Sequence, residues 1–373
     1  MTLGLLAFLF SAIGTWIAMH WYAYVNLSAI GMDKDILVPA LCGLGLTFPM
    51  TRLFSLRWRN SVLRIFYWTG AVWMGMIFLL SFWFLVASVV RRVSRQAGLQ
   101  AANDPVPWIL ATAVAVLGMV VWGMVRAIRG PKEVRYIVDR KPRFGKGKTA
   151  RVVQISDVHL GLTLGTDFLS ALVERINRLE PDLIFITGDL FDPEFPSDAE
   201  AAGILAKLKS RQGTFAVSGN HEFYSGLGRF LDMMAGAGIP VLANEIRVTS
   251  GGIQVCGIHD QTANRFTSLG AACDLEKALH DINHDYPSML LAHQPKELGP
   301  ASAKRVDLIF CGHTHAGQIF PFRAVVRMAF KYLGGRYRLG PDTDLIVNTG
   351  TGFWGPPLRL GTTSQIVVVD FAY

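Results

Sequence analysis

Residues 307–317 read DLIFCGHTHAG and join a short apolar run to two histidines. The apolar part has the length and composition of a buried β-strand. His313 and His315 follow it with one residue between them, and Gly312 lets the backbone turn without a Cβ penalty. Two imidazoles placed in this way could be metal ligands aimed at one point, or they could belong to a polar turn. The rest of the sequence decides between these two interpretations.

Four other runs of strand length end in the same kinds of residue. The runs RVVQIS, LIFIT, TFAVS and SMLLA are each followed closely by Asp, Asn or His. In an open α/β sheet, ligands gather beyond the carboxyl ends of the strands. A packed core has no use for so many polar groups, because burying them unpaired is costly. The candidate residues are Asp157, His159, Asp189, Asp192, Asn220, His221, His293, His313 and His315.

The candidate ligands offer oxygen and nitrogen donors and no thiolate. This mixture suits Mn, Fe or Zn better than Ca. If seven of the nine candidate residues are ligands, they are too many for one tetrahedral ion. They are about right for two ions that share a carboxylate, as in metal sites that catalyse phosphoryl chemistry. The pattern therefore predicts a site for two divalent ions.

From residue 151 onward, strand-like runs alternate with helical patterns. Residues 166–180, TDFLSALVERINRLE, repeat apolar side chains at helical spacing, and Ser197 with Glu200 has the form of a capping box at the start of another helix. This alternation predicts an α/β domain. The later runs EIRVTSGGIQVCG, LIVNTG and SQIVVVDF have hairpin-like or meander spacing, so we expect a mixed rather than a purely parallel sheet.

The first part of the chain has the composition of a membrane domain. Its apolar segments are residues 3–27, 36–50, 65–90 and 106–128. Three of them exceed the roughly 20 residues that cross a bilayer core. The segment 36–50 is shorter and has Pro39 and Pro49 near its ends, so it could be re-entrant. We predict a transmembrane helical anchor domain in residues 1–130, a basic juxtamembrane linker in 131–149 and a catalytic domain in 150–373.

The charges differ between the two parts. Residues 1–150 carry 17 Lys and Arg against 5 Asp and Glu, whereas residues 151–373 carry 19 against 23. The second part therefore lacks the basic footprint of a nucleic-acid-binding protein, and we expect no nucleic-acid partner. Nothing in the sequence sets the oligomeric state.

Basic residues also predict the orientation in the membrane, because Lys and Arg accumulate on the cytoplasmic side. If all four segments span, 12 flanking cations lie on the side of residues 129–148 and 4 on the other side. We therefore expect a multi-pass protein of the bacterial inner membrane with its catalytic domain in the cytoplasm. If segment 36–50 does not span, the orientation of everything after it is inverted.

The ordered motifs DxH, GDxxD, GNHE, His and GHTH resemble the calcineurin-like metallophosphoesterase superfamily over about residues 151–370. The segments GNHEFY, LLAHQP, GHTHAGQI and NTGTGFWGPPLRLG are similar to its bacterial YkuE/YaeI-like branch and the transmembrane relatives of that branch. The resemblance implies a four-layer α/β/β/α sandwich, here preceded by an all-α transmembrane domain of about four helices. It also implies hydrolysis of a phosphomonoester, phosphodiester or pyrophosphate bond by a metal-activated hydroxide.

The resemblance further implies a role for each motif residue. Asp189 would bridge the two ions, and Asp192 would orient His221. His221 would face the substrate, where it would give a proton to the leaving oxygen or stabilise charge there. The first ion would be held by Asp157, His159, Asp189 and His315, and the second by Asp189, Asn220, His293 and His313.

Two residues depart from the family pattern. Pro193 stands where protein Ser/Thr phosphatases have a phosphate-clamping Arg, which disfavours a protein-phosphatase activity. Ala316 stands where the branch usually has Gly, and this small change leaves the ligands intact.

The segment 321–338, PFRAVVRMAFKYLGGRYR, bears on the substrate. It combines apolar residues at helical spacing with five cations, a pattern typical of interfacial helices. A lipid-linked substrate is therefore one hypothesis, and some members of the wider superfamily are UDP-2,3-diacylglucosamine pyrophosphatases. An ordinary lid helix would show the same pattern. A phosphodiesterase acting on a soluble nucleotide and a non-catalytic membrane sensor or scaffold remain as alternatives.

Overall fold

The computed structural model describes residues 3–55, 58, 60–145, 147–266 and 270–373. The chain divides into two compact units. The helical unit comprises Met1–Val125 and Gly355–Leu358, and the α/β unit comprises Arg126–Trp354 and Arg359–Tyr373.

In the described part of residues 1–128, all regular secondary structure is helical, as predicted. Among the described residues, α2, α3 and α4 are long and apolar enough to cross a membrane. The segment that was expected to be short lies inside α2, which has 22 residues and continues through Pro39 and Pro49. The length expected for this segment was therefore wrong, and α2 is long enough to span. The helices are α1 (Leu3–Ser28), α2 (Lys34–Ser55), α3 (Ser61–Gln96) and α4 (Val106–Ile128).

The α/β unit contains two mixed sheets. The first has the order β1-β11-β2-β3-β4, in which only the β11–β2 pairing is antiparallel. The second has the order β5-β6-β7-β8-β10-β9, with antiparallel pairs at both edges. The strands are β1 (Lys132–Asp139), β2 (Thr149–Ile155), β3 (Leu183–Thr187), β4 (Gly213–Val217), β5 (Glu245–Val248), β6 (Gln254–Gly257), β7 (Ser288–Leu291), β8 (Leu308–Cys311), β9 (Gly335–Arg338), β10 (Asp344–Val347) and β11 (Gln365–Ala372).

Both faces of each sheet are buried, because apolar residues of the strands pack against other elements on each side. In β2, Val152 packs between the sheets, whereas its neighbour Val153 packs against helices on the outer face. Phe185 and Phe310 meet between the sheets with ring centroids 5.1 Å apart. A third core joins the second sheet to its own helices. The predicted α/β/β/α sandwich is confirmed.

The shorter helices cover these sheets and carry several site residues. They are α5 (Lys141–Phe144), α6 (Thr166–Asn177), α7 (Asp198–Leu205), α8 (Asn220–Ser225), α9 (Leu227–Gly236), α10 (Leu275–Ala278), α11 (Gly299–Ala303) and α12 (Arg323–Ala329). In α6, Leu169, Leu172 and Ile176 are buried at the predicted helical spacing. Ser197 is the N-cap of α7, but its side chain makes no capping hydrogen bond, so the predicted capping box does not form.

Two expectations about chain connections differ from the structure. The segment expected to be a solvated linker contains β1, which pairs in parallel with β11. Charged residues on one face of β1 hid its alternating pattern, in which Tyr136 and Val138 face inward. Arg140, just after β1, is also buried, and it pairs with Asp344 at 2.7 Å. In addition, β10 and β11 belong to different sheets, so they do not form the expected meander.

Candidate metal centre

The carboxyl ends of five strands, β2, β3, β4, β7 and β8, carry the candidate ligands. Three of these strands belong to the first sheet and two to the second, and each group runs in parallel. The strand ends therefore bring side chains from both sheets together.

The first cluster consists of Asp157, His159 and His315, whose ligand atoms all lie within 4.8 Å of one another. Nε2 of His315 lies 3.2 Å from Nε2 of His159 and 3.4 Å from Oδ1 of Asp157. Asp157 and His159 are buried. Three inward-facing donor atoms in such a space could hold a metal ion.

The second cluster consists of Asp189, His293 and His313, again within 4.8 Å, with Asn220 beside them. Nε2 of His293 lies 3.2 Å from Oδ2 of Asp189, from Oδ1 of Asn220 and from Nδ1 of His313. The side chain of His293 is fully buried. This cluster brings together the four residues expected around the second ion.

Asp189 lies between the two clusters. Its Oδ2 atom is 3.2 Å from Nε2 of His293 and 3.8 Å from Nε2 of His159. Its Oδ1 atom accepts the backbone N–H of His221 at 2.9 Å. One carboxylate therefore faces histidines of both clusters.

The ligand atoms of the second cluster are better partners for a cation than for one another. Nδ1 of His293 lies 2.7 Å from the carbonyl oxygen of Thr187, to which it can only donate. In a neutral ring this leaves a lone pair on Nε2, which then faces the acceptor oxygens of Asp189 and Asn220. Burial alone would lower the pKa of His293. The Asp189 carboxylate outweighs this effect and raises the pKa well above its usual value. The Asp189 carboxylate thus favours a positive charge beside it, which a bound divalent ion would supply.

Asp192 contacts two histidines through a single oxygen. Its Oδ1 atom lies 3.0 Å from Nδ1 of His159 and 2.7 Å from Nδ1 of His221, the latter without hydrogen-bond alignment. Burial opposes ionisation of Asp192, but His159 and His221 hold its pKa well below the usual value. Burial likewise lowers the pKa of His221, whereas Asp189 and Asp192 raise it to about 9. Asp192 therefore supports His159 as well as its expected partner His221.

Five of the seven candidate ligands have left-handed backbone conformations. Their φ angles are +53° at Asp157, +51° at His159, +52° at Asp189, +70° at His313 and +47° at His315. Such conformations cost on the order of 1 kcal/mol or more for residues with a Cβ, and they concentrate at functional sites. The backbone bends sharply at these strand ends and so directs successive side chains inward.

Gly312 has a different role from the one expected. It does not have a positive φ, but a Cβ at this position would lie 1.9 Å from Oγ of Ser156 and 2.3 Å from Oδ2 of Asp157. Glycine is therefore required because the backbone passes close to the Asp157 side chain. The next residue, His313, donates its N–H to the same carboxylate at 3.0 Å.

Glu222 and Arg359 support the site and were not among the residues inferred from the sequence. The buried Glu222 carboxylate accepts backbone N–H groups from Asp189, Leu190 and Gly219 at 2.6–2.9 Å, and so joins two ligand-bearing loops. Burial, followed by the nearby Asp189, raises the pKa of Glu222 to about 7. Arg359 is fully buried beside His315. Both lie in the quoted motifs GNHEFY and NTGTGFWGPPLRLG, which was the available signal.

Aromatic residues and helix α12 surround the site. The ring centroid of His221 is 5.7 Å from that of Tyr224 and 5.8 Å from that of Trp354. At the second cluster, Phe330 follows α12 and its ring centroid lies 5.0 Å from that of His313. Nζ of Lys296 lies 4.2 Å from the Phe330 ring centroid. α12 is thus attached next to the second cluster.

The two departures from the family pattern have local explanations. Pro193 offers no cation, and its carbonyl oxygen accepts from Arg229 at 3.5 Å. Ala316 has φ +48° and ψ +31°, a conformation that glycine adopts at no steric cost. The alanine therefore strains the turn locally without removing a donor atom from the clusters.

Comparison with known proteins agrees with this architecture. The protein family described as "Calcineurin-like phosphoesterase" matches residues 150–317 of the chain. An uncharacterized metallophosphoesterase of Helicobacter pylori is 40% identical over 220 residues, which are 59% of this chain and 59% of that protein. The chain therefore spans less than two thirds of the length of this relative.

Two further relatives extend the similarity. A transmembrane protein with metallophosphoesterase domain from Danio rerio is 32% identical over 310 residues, covering 79% of this chain and 70% of that protein. The uncharacterized metallophosphoesterase YkuE of Bacillus subtilis is 30% identical over 230 residues, covering 58% of this chain and 77% of that protein. The chain belongs to the calcineurin-like metallophosphoesterase family.

Proposed function

We propose that this protein is a membrane-anchored phosphoesterase with a dinuclear metal site, which hydrolyses a phosphomonoester, phosphodiester or pyrophosphate bond. The observation that carries the proposal is the position of Asp189, whose carboxylate faces a histidine in each of two adjacent clusters. A site for one ion would need only one of these clusters. In this proposal, residues 1–130 form the anchor, and the catalytic domain consists of residues 150–373 together with β1, which pairs with β11.

The two clusters provide the ligand set for the ions. The first ion would be held by Asp157, His159, Asp189 and His315, and the second by Asp189, Asn220, His293 and His313. This mixture of imidazole, carboxylate and amide donors suits Mn, Fe or Zn. Bound ions of this class neutralise phosphoryl oxygens and acidify water.

His221 is the proposed proton donor. Its Nδ1 atom faces Asp192, which leaves Nε2 as the atom from which a proton can pass to a leaving oxygen. As the bond between phosphorus and the leaving oxygen breaks, this proton prevents the build-up of negative charge on that oxygen. Asp192 fixes the ring and stabilises the positive charge that His221 carries beforehand.

We also propose that the substrate is lipid-linked, as in UDP-2,3-diacylglucosamine pyrophosphatases. Support comes from α12, which buries none of its side chains. Val325 is 54% and Met328 is 89% exposed. Arg323 and Arg327 lie on the same helix, so apolar and basic groups are available together to acyl chains and headgroup phosphates. Since Phe330, at the end of α12, contacts His313, such a substrate would be held beside the second cluster.

The proposed location is the bacterial inner membrane, with the catalytic domain in the cytoplasm. The excess of cations flanking one side supports this orientation. Of the counted cations, Arg140 contributes less to this asymmetry, because it belongs to the buried fold and not to a solvated linker.

Activity of the full-length protein in lipid nanodiscs tests the proposed chemistry. We expect hydrolysis of nitrophenyl phosphate mono- or diesters or of a UDP-linked sugar when Mn is present, and loss of hydrolysis after chelation. Two bound ions without hydrolysis of any substrate would instead support the sensor or scaffold alternative.

A pair of substrates tests the lipid hypothesis. We expect the double variant Val325→Ser and Met328→Ser to raise KM for UDP-2,3-diacylglucosamine while leaving KM for water-soluble UDP-N-acetylglucosamine unchanged. Val248→Ser is the matched control, because Val248 is 67% exposed on β5, in the second sheet. Equal turnover of the two substrates by the wild-type protein would favour the soluble-nucleotide alternative.

A further inference from the structure

Arg359 is a fully buried arginine whose hydrogen bonds go mainly to backbone carbonyl groups. Its guanidinium donates to the carbonyl oxygens of Thr349 at 2.7 Å and Gly350 at 3.4 Å, and also to that of Gly352. Among the described residues, no carboxylate accepts a hydrogen bond from it, and its Nε atom has no partner. A buried cation without a paired anion is costly, so such a residue needs a compensating function.

The carbonyl groups that bind Arg359 belong to a segment that in turn holds the first cluster. The backbone N–H of Thr351 donates to the carbonyl oxygen of Ser156 at 2.7 Å, and that of Gly352 donates to the backbone carbonyl oxygen of Asp157 at 3.0 Å. Residues 349–352 are therefore hydrogen-bonded to the loop that carries Asp157. Arg359 fixes this segment from its other side.

Arg359 also contacts the third residue of the first cluster. Its Nη1 atom donates to the carbonyl oxygen of His315 at 3.4 Å, and its Nη2 atom lies 3.3 Å from Nδ1 of the same residue. This approach requires Gly350, which has φ +91°, because a Cβ there would lie 2.8 Å from both Arg359 Nη2 and His315 Nδ1. Arg359 thus joins the loops that carry Asp157 and His315.

The second cluster is held by other groups. Glu222 fixes the backbone at Asp189 and Gly219, and the carbonyl oxygen of Thr187 fixes the ring of His293. Arg359 makes no hydrogen bond with any of these residues in the described part of the chain. The groups that hold Asp189 and His293 are therefore distinct from Arg359.

We propose that Arg359 is a positioning residue that sets the metal affinity of the first cluster and leaves that of the second unchanged. The inference rests on the proposed dinuclear site. Lysine in its place could keep the charge but could not bind the carbonyl groups of segment 349–352 and of His315 together, because it lacks the planar fork of donors.

Titration of the metal-free, full-length protein with Mn²⁺ tests this proposal without an activity assay. We expect the wild type to bind two ions and to show the electron paramagnetic resonance signal of a spin-coupled pair. Arg359→Lys should retain one ion at wild-type affinity and bind the other at least tenfold more weakly, with the spectrum of an isolated ion at limiting Mn²⁺.

Double variants show which cluster is affected. In a His315→Ala background, which removes a ligand of the first cluster, Arg359→Lys should not change the affinity for the remaining ion. In a His313→Ala background, the same change should lower the affinity for the remaining ion at least tenfold. Equal weakening in both backgrounds, or unchanged affinities in Arg359→Lys, would overturn the inference. A wild-type protein that binds only one ion would instead overturn the dinuclear proposal.

Discussion

Nδ1 of His221 lies 2.7 Å from Oδ1 of Asp192. The same oxygen lies 3.0 Å from Nδ1 of His159, a candidate ligand of the first cluster. Asp192 therefore connects the proposed proton donor with the proposed metal site. Its removal should affect both, whereas removal of His221 should affect catalysis alone.

We expect His221→Ala to lower turnover by roughly 10² to 10⁴, the usual contribution of a general acid, while two ions stay bound. The substrate must have a poor leaving group, such as an alkyl phosphate, because nitrophenolate leaves without protonation. Asp192→Asn should lower turnover and should also lower the affinity for one ion, as measured by Mn²⁺ titration. Near-normal turnover of the alkyl phosphate by His221→Ala would contradict the proposed role.

Asp189→Asn should weaken both metal sites, because one carboxylate faces His159 and His293. Metal analysis after dialysis should find fewer than two ions per chain, against two in the wild type. Asp198→Asn, which alters a carboxylate paired with Arg229 away from the clusters, is the control. Two tightly held ions in the Asp189 variant would exclude the bridging role.

Asp344 should make stability dependent on pH. Burial alone would raise its pKa, but hydrogen bonds from Arg336 and Arg140 hold the pKa below the usual 3.8. The charged form is therefore favoured by folding, so its contribution is complete above pH 3.8 and is lost as pH falls through the folded-state pKa. At pH 7, Asp344→Asn should lower the free energy of unfolding by about 3 kcal/mol, because Arg140 loses a buried partner.

Thermal unfolding of the detergent-solubilised protein measures this effect. The difference in Tm between Asp344→Asn and wild type should stay constant from neutral pH to the usual aspartate pKa, and then shrink. Asp342→Asn is the matched control, since its partner Arg305 is exposed and such pairs contribute about 1 kcal/mol or less. A Tm difference that persists at the lowest pH would show that the charge of Asp344 is not its cause.

Cysteine labelling tests the cytoplasmic location. Val248→Cys places a thiol on an exposed strand, and a membrane-impermeant maleimide should label it only after the cells are opened. The wild-type protein gives the background from its own cysteines. A reporter that replaces the chain after Lys148 is less suitable, because it would separate β1 from its partner β11. Labelling in intact cells would place the catalytic domain outside.

The site was more predictable from the sequence than its supports were. His293 could be located because a polar residue after a buried run is a local signal that a single motif carries. The link between Arg359 and His315 depends on tertiary packing across 44 positions, which no local pattern encodes. The strand β1 was missed because its outward-facing charges dominated the alternation of Tyr136 and Val138. Local signals thus indicated the donor atoms, but not the contacts that hold them in place.

The position of β11 in the first sheet has a consequence for biosynthesis. β11 lies between β1 and β2, yet it follows every candidate ligand in the chain. During translation all seven ligands therefore emerge while the sheet that positions four of them is still incomplete. Because metal affinity depends on a folded site, the growing chain should not retain an ion. Metal selection is thereby deferred until β11 has been inserted, and it depends on the ions that surround the protein at that moment.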